Sequence, residues 1–210
     1  MSTTQTKLET GIGGAGRTAA RRTHEKGFTI WMTGLPGSGK STLAGVLKRI
    51  FEEEYDRYVE VLDGDEVRKG LSSDLGLSKE DREEHARRVS YLAKVLSRNS
   101  VISIVALISP YKVSRESARK LIGDESFVEV YVKASLAKCE QRDPKGLYAK
   151  ARRGEIKNMT GLDDPYEAPS SADIVVDTEA GSPEESARFL IEKLKERGML
   201  TTLPRPTSHL

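Results

Sequence analysis

The 210-residue chain has a single cysteine, Cys139, so no internal disulfide can form. That usage suits a reducing cytosol, and a cytoplasmic location is the expectation; Cys139 itself reads as a packing residue. No apolar run approaches the roughly 18 residues a membrane-spanning helix needs. The N-terminus lacks the apolar stretch of a secretory signal. Neither sign of charge dominates: 34 basic against 32 acidic residues leave a net charge of +2. Such a balance gives no footprint for nucleic acid or for a membrane surface, so neither is expected as a partner. Residues 1–26 and 200–210 lack periodicity and read as tails around one domain, 27–199. Gly11 to Gly16 spell G-x-G-x-x-G, but no strand precedes them, and the dinucleotide-binding meaning falls away. Arg17, Arg21 and Arg22 are compatible with a transit peptide, whereas Glu9 and Glu25 oppose it.

One stretch is highly specified: Gly34-Leu35-Pro36-Gly37-Ser38-Gly39-Lys40-Ser41-Thr42 matches G-x-x-x-x-G-K-[ST], the phosphate-binding loop. Upstream, the β-branched and aromatic run 28–33 reads as a buried strand. Downstream, Leu43, Val46, Leu47 and Ile50 recur at helical spacing. Glycines let main-chain N–H groups converge on a polyphosphate at a helix N-terminus. Lys40 is placed to reach the β- and γ-phosphates of ATP, and the Ser41 hydroxyl to ligate Mg²⁺.

Further strands are expected at 58–62, 101–108, 127–132 and 173–177, alternating with helical patterns. That order implies an α/β fold with a mostly parallel five-stranded sheet covered on both faces. The helix after the loop should run to about Glu54, one should be capped by Ser78 with Asp81 three residues on, and a last should open at Ser182-Pro183-Glu184-Glu185. Segment 142–168 is turn-rich, and its first part carries Arg142, Lys145, Lys150, Arg152, Arg153 and Lys157 against Asp143 and Glu155. It reads as a basic lid, although a solvated basic loop gives the same letters.

Asp63-Gly64-Asp65-Glu66-Val67-Arg68 follows the second strand, beyond which ligands bind in open α/β sheets. A carboxylate there can take a proton from an attacking hydroxyl or hold Mg²⁺; an Asp-Gly pair is also ordinary turn chemistry. Arg68, Arg82, Arg87 and Arg88 nearby suggest a second anionic group, phosphate or sulfate. The third strand ends in Ile108-Ser109-Pro110-Tyr111 without the acid of a Walker-B strand, so metal ligation leans on Ser41 with Asp63 and Asp65.

Together with Gly70-Leu71, Asp81 to Glu84, Arg87-Arg88, the run Cys139 to Arg152, Gly154 to Lys157, Thr160-Gly161 and Asp163 to Glu167, these stretches resemble the adenylylsulfate kinase (APS kinase) family over Gly27 to Glu167. The resemblance implies a three-layer P-loop kinase fold and transfer of phosphate from ATP to the ribose 3′-hydroxyl of adenosine 5′-phosphosulfate (APS). It implies Asp63 as the base, Arg142 beside the donor nucleotide, and Asp65, Glu66, Val67, Arg68, Arg82, Ile108, Ser109 and Lys145 around the acceptor. Ser109 also corresponds to a serine sometimes labelled a phosphoenzyme, a stage that in-line transfer between two bound substrates does not need. A homodimer is implied too. Leu77 and Asn158-Met159 stand where the family has Phe and Gly-Phe, the two phenylalanines that sandwich adenine; His85 replaces a substrate-contacting Asn, and Glu66 for the usual Asn is a smaller change. Another nucleotide-like anion as acceptor is the alternative reading, and a non-catalytic nucleotide-binding subunit a further one.

Overall fold

The computed structural model describes residues 25–201. Five strands, β1 (Thr29–Thr33), β2 (Tyr58–Asp63), β3 (Val101–Ala106), β4 (Phe127–Lys133) and β5 (Ile174–Asp177), pair in the order β2-β3-β1-β4-β5. Every pairing is parallel, where the sequence pattern implied mostly parallel. β1 is central and wholly buried, which explains why its letters run apolar and β-branched without alternation.

Helices cover both faces. On one, α1 (Lys40–Glu53) and α7 (Pro183–Glu196) bury Leu43, Leu47, Ile50, Leu190, Ile191 and Leu194 against Ile30, Ile104 and Val130. On the other, α3 (Lys79–Arg98) and α4 (Lys112–Ile122) pack Ala86, Val89, Ala93 and Ala118 on Trp31, Val105 and Phe127. Burying each leucine, isoleucine or valine contributes roughly 1.5–3 kcal/mol, and the three layers follow from satisfying both faces of a parallel sheet. Ser182 forms the full reciprocal capping box with Glu185, starting α7. Ser78 accepts from the Asp81 amide, but the Asp81 carboxylate turns back only to the Ser78 hydroxyl, which leaves half a box.

Three short helices complete the set: α2 (Gly64–Gly70), α5 (Leu136–Arg142), which carries Cys139 after β4, and α6 (Leu147–Arg152). The third strand stops at Ala106, two residues short of the expected end, because the chain leaves the sheet to reach Thr33 and Gly34. Two tail boundaries also move. Glu25 pairs with buried Arg57, and Leu200 is 3% exposed in the core, so folded chain extends past both expected limits. The rest of both expected tails, and the Gly11–Gly16 run, lie outside the described residues.

Segment 142–168 builds a small core of its own. Tyr148 and Met159 pack with Ala134 and Cys139, and Leu35 of the phosphate loop joins from below. Gly161 sits at φ +92°, a left-handed backbone that favours glycine, with Leu35 Cδ2 2.7 Å from where a Cβ would stand.

Candidate active site

The loop at the carboxyl end of β1 turns under tight backbone constraints. A Cβ on Gly34 would lie 2.5 Å from the Val132 carbonyl oxygen, and Gly39 opens α1 from a left-handed conformation. Lys40 Nζ donates to Gly34 O and Leu35 O, each at 2.8 Å, and to Ser38 Oγ at 3.3 Å. Burial lowers its pKa from 10.5 to about 8, while Cys139 and Asp63 pull the other way. Anionic phosphate oxygens in the loop would raise it again by favouring the charged form. Arg142 braces the loop from behind. It donates to Thr178 O at 2.7 Å and Thr178 Oγ1 at 3.0 Å, and that hydroxyl donates on to Ser38 O at 2.9 Å. No sequence signal pointed to Thr178. Tyr148 Oη donates to Pro36 O at 2.9 Å, tying the basic segment to the same loop.

Asp63 ends β2 and is the N-cap of α2. Its Oδ1 accepts from the Asp65 amide at 3.1 Å, and its Oδ2 accepts from Ser41 Oγ at 2.6 Å. The loop's hydroxyl and the expected base thus meet at the mouth of the phosphate cradle, with Thr42 exposed one residue on. A hydroxyl and a carboxylate side by side are hard oxygen donors, and Mg²⁺ binds proteins through one or two such groups while keeping phosphate and water ligands. The donor set at Ser41 and Asp63 therefore fits Mg²⁺. Among the described residues no cluster of three or more His, Cys, Asp or Glu is poised for a metal.

Asp65 forms an ion pair with Lys145, linking α2 to the basic segment across the cleft; both side chains remain more than half exposed. Glu66 turns to Lys69 at 2.5 Å, and Val67 packs toward the core. Arg68 donates to Gly76 O at 2.9 Å; Arg82 donates to Leu77 O at 3.0 Å and to Asn158 O at 2.8 Å. Arg87 and Arg88 behave differently from the expected anion ligands. Arg87 is bound bidentately by Glu84, and Arg88 by Asp74 with a further bond to Glu84. Their carboxylate partners satisfy them, which narrows the arginines available to a second anion to Arg68 and Arg82.

The positions expected to hold a base differ in their surroundings. Leu77 is 54% exposed, whereas Met159 is 6% exposed and its amide is fixed by the Asp163 carboxylate at 2.5 Å. His85 is 5% exposed; its Nδ1 lies 2.9 Å from Ser72 Oγ, and its Nε2 is buried without a partner. Burial, then Arg68 and Arg88, lower its pKa from 6.5 to about 4. The imidazole is neutral at pH 7.

Ile108 and Ser109 lie beside Thr33, the last residue of β1. Thr33 Oγ1 is 2.7 Å from Ile108 O and 3.0 Å from Tyr166 Oη. Ser109 is 6% exposed, and its hydroxyl accepts from the Trp31 indole N–H at 3.2 Å. That engagement ties the Ser109 hydroxyl to the central strand β1. In the sequence, Thr33 and Trp31 are strand letters and Tyr166 a motif letter, with nothing local to mark their meeting here.

A protein-family model described as adenylylsulphate kinase matches residues 26–177. An adenylyl-sulfate kinase of Halothermothrix orenii is 50% identical over 177 residues, 84% of this chain and 94% of the relative. A probable adenylyl-sulfate kinase of Pyrococcus abyssi is 55% identical over 83% of this chain and 99% of its own length. The structure of a Mycobacterium tuberculosis APS kinase in complex with AMPPNP and APS superimposes with a TM-score of 0.78 at 44% identity, covering 81% of this chain and 98% of that one.

Proposed function

The chain belongs to the adenylylsulphate kinase family, and from that membership we infer that it phosphorylates the ribose 3′-hydroxyl of APS with ATP, giving ADP and 3′-phosphoadenosine 5′-phosphosulfate. The observation that carries the chemistry is Asp63 at the mouth of the loop, 2.6 Å from Ser41. The loop amides and Lys40 hold the triphosphate and offset charge on the transferring group. Asp63 accepts the hydroxyl proton as the new O–P bond forms and the bond to the bridging oxygen of ADP breaks. Ser41 and Asp63 are the residues that would hold Mg²⁺, which would supply neutralisation of phosphate charge. Arg68, Arg82 and Lys145 bind the acceptor's phosphosulfate, and Asp65 releases Lys145 to it. Exclusion of water falls to the 142–168 segment, whose small core already rests on Leu35.

Two further parts of the reading concern assembly and place: a homodimer, working in the cytoplasm. The single thiol is unpaired and buried, and among the described residues no helix is long and apolar enough to cross a membrane. Sedimentation of the purified protein tests the dimer.

Mixing ATP, Mg²⁺ and APS with the protein and measuring ADP tests the reaction. Release with APS supports it; no release with APS, but release with another nucleotide-like anion, would move the acceptor. That second reading is favoured by one observation: exposed Leu77 and buried Met159 offer no aromatic face to a base.

A further inference from the structure

Arg115, on α4, is 3% exposed and has been given no role so far. Its guanidinium spans three segments: Nη1 donates to Ser109 O at 2.8 Å, Nη2 to Glu167 O at 2.8 Å, and Nε to Glu129 Oε1 at 2.7 Å. Ser109 is a non-glycine residue at φ +42°, a left-handed backbone that a side-chain-bearing residue keeps only when its surroundings hold it. Three groups do so: Arg115 on its carbonyl, Thr33 Oγ1 on the same carbonyl at 3.2 Å, and the Trp31 indole on its hydroxyl.

Glu167 is held just as firmly. Its amide donates to Pro110 O at 2.8 Å, and its carboxylate accepts from the Lys112 amide at 2.6 Å. It thereby caps α4, whose N-cap residue Tyr111 supplies no side-chain bond. One planar fork with fixed donor directions thus joins the turn carrying Ile108 and Ser109 to the last residues of the basic segment. A lysine, a single point charge on a flexible stem, has no geometry to hold both carbonyls and the carboxylate at once.

We propose that Arg115 is a positioning residue for the transfer reaction: through Ser109 and Glu167 it sets the spacing between the floor of the acceptor cleft and the root of the basic lid. The identity of the acceptor rests on the kinase reading above; the coupling does not. Trp31, the sole tryptophan, touches the strained turn and reports its position without any substrate.

Two variants test this. Arg115→Met with Glu129→Gln removes the guanidinium without leaving a buried carboxylate unpaired. Arg115→Lys keeps the charge and loses the fork. Both should change Trp31 emission in the substrate-free protein. Both should raise the KM for APS about tenfold or more while the KM for ATP stays within about twofold, with Lys the milder. Folded variants with parent Trp31 emission and a parent KM for APS would overturn the proposal. So would equal rises in both KM values with unchanged emission. Loss of fold in both variants would overturn it as well, since Arg115 would then hold the domain and not the cleft. If the parent protein releases no ADP with APS, the kinase reading fails on its own, and Trp31 emission still decides the coupling.

Discussion

Ser41 Oγ and Asp63 Oδ2 stand 2.6 Å apart, joining the first turn of α1 to the end of β2. An asparagine at position 63 can keep its carbonyl oxygen on the Asp65 amide and turn its NH2 toward Ser41 Oγ as a donor, but takes no proton from a substrate hydroxyl. Asp63→Asn should therefore cut kcat by about 100-fold or more and leave the fold intact. Steady-state kinetics with a thermal melt check it; near-parent turnover would remove Asp63 as the base.

Lys40 is buried at a cost, shown by its lowered pKa. Lys40→Ala should abolish measurable turnover, by about 10²–10³-fold or more, because the cation facing the transferring phosphoryl is gone. The more isosteric Lys40→Met removes the desolvated charge while keeping the volume. Its thermal midpoint should equal or exceed the parent's, and a clear drop would show that the bonds to Gly34 O and Leu35 O outweigh desolvation.

Position 77 and position 159 should answer differently to phenylalanine. Leu77→Phe adds an aromatic face at an exposed site and should lower the KM for APS about fivefold or more, the scale of one base stacked on an aromatic ring. Met159→Phe enlarges a side chain in the small core under the lid and should cost about 1–3 kcal/mol in overpacking. Titration calorimetry and denaturant melts separate the two effects; an unchanged KM in Leu77→Phe would point to another acceptor.

His85 gives the protein an acid sensitivity. Its native pKa of about 4 lies below the unfolded value near 6.5, so the unfolded chain binds the extra proton. Its contribution is fully present above pH 6.5 and is lost as pH falls toward 4, by at most about 3 kcal/mol. His85→Asn should flatten that part of the stability profile, as read from denaturant midpoints between those two values. An unaltered slope would show the imidazole protonates freely in the fold.

Much of this architecture could be read from letters. β1, the phosphate loop and α1 announce themselves because burial on two faces, glycine geometry and helical spacing each leave a distinct pattern. α2 did not: it is seven residues long, begins at Gly64 and ends at Gly70, too short for a period to show. The small core under the lid was equally silent, since Tyr148, Ile156, Met159 and Leu162 follow no regular spacing. Charge letters misled where partners decide. Arg87 and Arg88 look like anion ligands until Glu84 and Asp74 are seen holding them. Arg115, Glu129 and Glu167 meet only through the fold, and nothing in their local sequence brings them together.

Leu77 stands in water on the short segment between α2 and α3, while Met159 is buried in the small core of the basic segment. A residue that nothing leans on can be exchanged by drift or by an engineer with almost no penalty to folding. Any retargeting of this scaffold toward a different nucleotide would thus be expected to begin on that one bank, with the other changing only after compensating repairs nearby.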